Sequence, residues 1–195
     1  MTMFKCLSPR TLGVEVNLEA GLAMAAEAGF EGLDVNIQEV QRLVQERAAS
    51  WLSGVFEDAG LRIGAWGLSI PWDGSEEEFR KGLEVLPSLA AAGASVGATR
   101  VTLVVRPGSD ERAFEENFKW HIDRIRPVAE ILNDEGCRLG LEFLGPRTLR
   151  TDKAFGFIYT AAGMLALADA IGTGNVGLLL DSWHWYTGQG TISDL

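Results

Sequence analysis

The stretch Glu135-Gly136-Cys137-Arg138-Leu139-Gly140-Leu141-Glu142-Phe143 holds a complete structural step. A glycine closes an amphipathic segment, a short polar step follows, and an apolar run ends in a carboxylate. Glycine just past a helix suits the left-handed C-cap position, and a short connection then feeds a strand. The arrangement recurs at Ala28-Gly29-Phe30-Glu31-Gly32-Leu33, Ala59-Gly60-Leu61-Arg62-Ile63, Val96-Gly97-Ala98-Thr99-Arg100-Val101 and Ile171-Gly172-Thr173-Gly174-Asn175-Val176. The leading glycines stand 31, 37, 39 and 36 residues apart, room for one strand, one helix and two loops. The chain is a series of βα units.

Working outward, strands are predicted at 3–7, 32–36, 62–67, 100–105, 138–143 and 176–181, and helices at 18–28, 37–59, 75–96, 110–135 and 160–171. Val101-Thr102-Leu103-Val104-Val105 and Val176-Gly177-Leu178-Leu179-Leu180 lack strict alternation, as expected of strands covered on both faces. Asn17, Ser75 and Asp110 are the expected N-caps, with Ser75-Glu76-Glu77-Glu78 resembling a capping box. Six strands alternating with helices fit either a doubly wound sheet or most of a (β/α)8 barrel. A full barrel needs about 250 residues. The expectation is therefore one domain over all 195 residues, stopping after about six βα units with a further helix only beginning at Gly190–Leu195 and two strands lacking.

The charge excludes some roles. With 27 acidic against 17 basic residues the net charge is −10, a field that repels polyanions and disfavours nucleic acid as a partner. No apolar run reaches the roughly 18 residues of a membrane span, and the N-terminus has no signal-peptide pattern, so no membrane partner and a cytoplasmic location are expected. Cys6 and Cys137 fall at opposite ends of their strands and are expected as unpaired thiols.

Chemistry gathers at the strand ends, where α/β folds build their sites. Glu142 ends one apolar run and Asp181 the next, in Leu178-Leu179-Leu180-Asp181-Ser182-Trp183-His184-Trp185, with His184 three residues beyond. Parallel strands lie about 4.8 Å apart, so two such carboxylates can converge on one divalent cation. Capping the following helix or pairing with a lysine are the other uses of a carboxylate at that place.

The order of βα units, Glu142 at a strand end and Asp181-Ser182-Trp183-His184 together resemble the xylose isomerase-like TIM-barrel superfamily. The resemblance implies a (β/α)8 barrel binding one divalent metal ion (Mn²⁺, Mg²⁺, Co²⁺ or Zn²⁺), with Glu142 and Asp181 as ligands, Glu142 also as catalytic acid/base, and His184 touching substrate. Two further ligands of the family's epimerases, from the seventh and eighth strands, have no counterpart here. The implied activity is isomerisation or epimerisation of a sugar, sugar phosphate or cyclic polyol ketone through an enediolate. A keto-inositol dehydratase and a non-catalytic fragment of such a barrel are the alternatives; for the chain alone, weak metal affinity and poor solubility are expected. The family's endonuclease branch needs histidines at two more strand ends, and Ala65–Ile70 and Val104–Gly108 contain none.

Lesser signals complete the reading. Trp66 and Trp183 are candidate substrate-stacking rings, alongside Trp72, Trp185 and Tyr186, although rim packing or contact with a second copy in a homo-oligomer explains them equally. Arg147, with Arg150 and Lys153, is a candidate for binding a phosphate or carboxylate. Asp34 is expected to orient a neighbouring group. His121 lies among Phe114, Phe118, Ile122 and Ile125 at helical spacing, which reads as packing. Gly172-Thr173-Gly174-Asn175-Val176-Gly177 matches a dinucleotide-binding pattern but closes a helix and opens a strand, the reverse of what that motif requires.

Overall fold

The computed structural model describes residues 3–192. The five leading glycines, Gly29, Gly60, Gly97, Gly136 and Gly172, take φ between 68° and 81°. A side chain is strained there, so glycine ends each helix cleanly and releases the chain toward the sheet. Gly174 shares the left-handed conformation and Gly172 caps a helix, so the glycine-rich segment is a capping turn.

In chain order the elements are β1 (Cys6–Leu7), α1 (Leu18–Glu27), β2 (Gly32–Leu33), α2 (Ile37–Arg47), α3 (Ala49–Asp58), β3 (Arg62–Ile63), β4 (Trp66–Gly67), α4 (Glu76–Ser95), β5 (Arg100–Val105), β6 (Gly108–Ser109), α5 (Phe114–Asp134), β7 (Arg138–Phe143), β8 (Phe155–Gly156), α6 (Ala161–Ile171), β9 (Val176–Leu178) and α7 (Ser182–Thr187). Strands β1-β2-β3 form one parallel sheet and β4-β5-β7-β9 a second, while β6 and β8 pair antiparallel across the loops above. Such order, with helices between parallel strands, is that of a barrel wall. The further helix expected at Gly190–Leu195 lies in part outside the described residues.

Side chains on β5 and β7 alternate in burial despite their continuous apolar sequence. Val101, Leu103, Val105, Leu139, Leu141 and Phe143 are buried, whereas Arg100, Val104, Arg138 and Glu142 face the barrel interior and are open to differing degrees. Leu86, Ile125, Val128, Leu132, Met164 and Leu167, none of them measurably exposed, supply the helix side of the core. Burying one such aliphatic side chain is worth about 1.5–3 kcal/mol, so this seam holds helices and sheet together.

The strands expected at 3–7 and 32–36 pair only over Cys6–Leu7 and Gly32–Leu33, and four further boundaries differ from the sequence reading for a local reason. The strand expected at 62–67 is broken, because Asp34 accepts a hydrogen bond from the Ala65 N–H at 2.8 Å and Gly64 is packed against Asp34 and Cys6. The helix expected at 37–59 is two, separated by Ala48 at φ 83°, ψ 154°. The strand expected to run to 181 pairs only to Leu178, after which Asp181 becomes a helix cap. Asp110 is no N-cap: it binds Lys153 at 2.7 Å and the Ala154 N–H at 3.2 Å, and α5 begins four residues later. Asn17 and Ser75 do cap their helices, Ser75 with Glu78 in a full capping box. Both cysteines are unpaired, Cys137 buried and Cys6 donating its thiol to Asp34.

Candidate functional site

Glu142 is placed by strand alternation. Leu141 and Phe143, 0% and 1% exposed, anchor β7 to the helices, which turns Glu142 inward beside Val104, its register partner on β5. Strand β9 continues the ladder through one more bond, the Leu179 N–H donating to the Leu141 carbonyl at 2.9 Å. Two residues on, Asp181 opens α7, its carboxylate accepting the backbone N–H of His184 at 2.8 Å. That cap fixes where His184 stands relative to Asp181. The ligand-capable atoms of Glu142, Asp181 and His184 all lie within 4.8 Å of one another, partly buried.

Glycines let α7 sit this close to β7. A Cβ on Gly145 would come within 2.6 Å of Gly188 N and Thr187 Oγ1 and would meet the His184 carbonyl; one on Gly188 would lie 2.7 Å from the Tyr159 carbonyl. Backbone thus packs against backbone under His184. The Leu144-Gly145-Pro146 step after Glu142 carries the sequence signal for this close approach.

Two carboxylates and an imidazole meet at this point. Burial pushes the Glu142 carboxyl above its ordinary pKa; nearby His184 opposes this and the Asp181 charge adds to it. The His184 Nδ1 is buried without a hydrogen-bond partner. Two carboxylates and an imidazole form a mixed oxygen and nitrogen donor set, which fits Mn²⁺, Co²⁺ or Zn²⁺ and suits the oxygen-preferring Mg²⁺ less. Capping leaves a second carboxylate oxygen on Asp181, so the cap and ligand uses of this residue are compatible.

The remaining expected residues are dispersed. Trp66 is no substrate ring: it is 2% exposed, with its indole N–H donating to the Ala98 carbonyl at 2.8 Å, because the outward alternation of β4 drives it into the helix layer. Trp72 is likewise buried, against Trp120 and His121. Trp183 is exposed beside Tyr186 on α7, with ring centroids 6.4 Å apart. Arg147 lies exposed in a short 3₁₀ turn, Arg147–Leu149, on the loop after Glu142. Asp34 orients the Ala65 N–H and the Cys6 thiol. His121 is buried with Nδ1 2.7 Å from the Asn117 carbonyl, a packing residue.

The model of the xylose isomerase-like TIM barrel family matches residues 22–195. The chain belongs to this family. Among solved structures, a xylose isomerase domain protein from Alicyclobacillus acidocaldarius subsp. acidocaldarius is 33% identical with a TM-score of 0.84, over 97% of this chain and 67% of that one. The fold is also similar to those of the IOLI protein with a binding zinc atom (18% identity, TM-score 0.74, 98% and 67% covered) and of D-psicose 3-epimerase in the presence of D-fructose (16%, 0.72, 98% and 68%). The chain spans about two thirds of these proteins' lengths. Comparison with curated proteins finds no match. Among the described residues of this family member no helix is long and apolar enough to cross a membrane.

Proposed function

We propose that this barrel carries the site of a divalent-metal-dependent isomerase or epimerase acting on a sugar, sugar phosphate or cyclic polyol ketone in the cytoplasm. The observation that carries the reading is the convergence of Glu142, Asp181 and His184 within 4.8 Å at neighbouring strand ends. Family relatives described with zinc or with a ketose support it.

Proton transfer next to a carbonyl needs a base whose conjugate acid persists long enough to return the proton. Glu142 suits this, because its partial burial raises its proton affinity. It would take the proton from the carbon beside the carbonyl, leaving the electron pair on an enediolate, and return it to the neighbouring carbon in an isomerisation, while the hydroxyl proton passes to the former carbonyl oxygen. Glu142 and Asp181 would hold the cation with His184 beside them, and the packing of α7 on Gly145 keeps Asp181 and His184 in place. A bound divalent cation supplies Lewis-acid polarisation of substrate oxygens. Val104, the register partner of Glu142, sets an apolar side chain beside it.

Titration with Mn²⁺ tests the site first. One ion per chain should bind, and Asp181→Asn, which keeps an N-cap but removes the charge, should weaken it at least about tenfold, about 1.4 kcal/mol, with little loss of stability. Glu142→Gln should abolish turnover of any ketose the protein converts. Absence of stoichiometric Mn²⁺ binding would sink the proposal, and products of dehydration from a keto-inositol would replace isomerase by lyase.

A further inference from the structure

The loop that follows Glu142 carries cations that the proposed proton transfer does not use. In a chain of net charge −10, Arg106, Arg147, Arg150 and Lys153 gather on the loops after the adjacent strands β5 and β7. Two of them are engaged: Lys153 binds Asp110 at 2.7 Å, and Arg106 reaches Asp73 at 4.0 Å. Among the described residues no carboxylate pairs with Arg147 or Arg150.

Arg150 differs from a solvated surface arginine. Its guanidinium carbon lies 3.6 Å from the centroid of the Tyr159 ring, and its Nε is buried with no acceptor. Stacking fixes the plane of the guanidinium and, with Nε shut away from solvent, leaves the two terminal Nη groups as the fork that can bind a phosphate or carboxylate through two parallel bonds. Both supports of that fork are tied to the site. The loop leads through Gly145, wedged against the carbonyl of His184, and the Tyr159 carbonyl is packed against Gly188 at the end of α7.

We infer that Arg150, with Arg147 beside it, recognises an anionic substituent on the substrate, a phosphate ester or a carboxylate, and so selects charged over neutral sugars. The inference rests on reading Glu142, Asp181 and His184 as a sugar-handling site and adds the substrate class. Arg147 supplies charge from an exposed turn, while Arg150 supplies orientation.

Calorimetric titration of the metal-free protein with D-fructose, D-fructose 6-phosphate and D-glucuronate reads this directly. The expected result is that at least one anionic sugar binds about tenfold or more tightly than D-fructose. Arg150→Gln should remove that preference, and Arg150→Lys should retain part of it. The phosphate and uronate arms show which anion is preferred. Equal affinity for neutral and charged sugars, a preference that survives Arg150→Gln, or no sugar binding at all overturns the inference. Mn²⁺ titration of the same variants separates the two claims: unchanged metal binding with no anion preference leaves the isomerase reading standing, whereas an Arg150-dependent preference in a protein that binds no metal does the reverse.

Discussion

Asp181 shows how one side chain can serve structure and chemistry together. Its position after an apolar run was legible as cap or ligand; the fold makes it a cap, and the cap delivers His184 to the same point. Nothing in the local sequence distinguishes those uses, since both need a carboxylate at a strand-to-helix junction. Ala48 is the opposite case, a residue whose sequence carries no signal of its conformation. At φ 83°, ψ 154° it occupies a region that only glycine enters freely, held there by the helices on either side. Ala48→Gly should therefore stabilise the protein by about 1 kcal/mol, the relief of strain exceeding the added freedom of the unfolded chain, as a higher urea midpoint at unchanged slope.

At the scale of elements, the glycine caps made the βα repeat readable because a positive φ is a local demand that one residue type meets. Strand ends were less readable. The run at 176–181 stops pairing at Leu178, and the run at 62–67 is interrupted by the side chain of Asp34, just past the end of β2. The packing of α7 on the loop after β7 makes a specific demand at Gly145, where an added methyl meets backbone rather than flexible side chain. Gly145→Ala should displace α7 and weaken Mn²⁺ binding at least about tenfold while the far-UV circular dichroism stays that of wild type. Wild-type metal affinity in that variant would show that α7 position is not critical.

The whole molecule brings together groups far apart in sequence, and His121 reports on that. It is enclosed by Trp72, Trp120 and Phe157, and burial, assisted by the Arg112 charge and opposed by the Asn117 carbonyl and Asp73, lowers its pKa from 6.5 to about 4. Above pH 6.5 the imidazole is neutral in folded and unfolded chains alike. Below it the unfolded chain takes up a proton that the folded one refuses until about pH 4, so stability falls with pH across that window. The ceiling is about 3 kcal/mol. Urea unfolding at pH 7 and pH 4.5 should show this loss, and His121→Phe should reduce it; an identical loss in the variant would assign the acid sensitivity elsewhere. By itself the sequence determined the βα repeat and the carboxylates that follow its apolar runs, because caps, apolar runs and their spacing are set by neighbours along the chain, while the barrel class came from the family resemblance. Only the tertiary structure decided that Trp66 turns into the helix layer, that His184 joins Glu142 and Asp181, and that Arg150 stacks on Tyr159, because each depends on which atoms another strand or loop brings within a few ångströms.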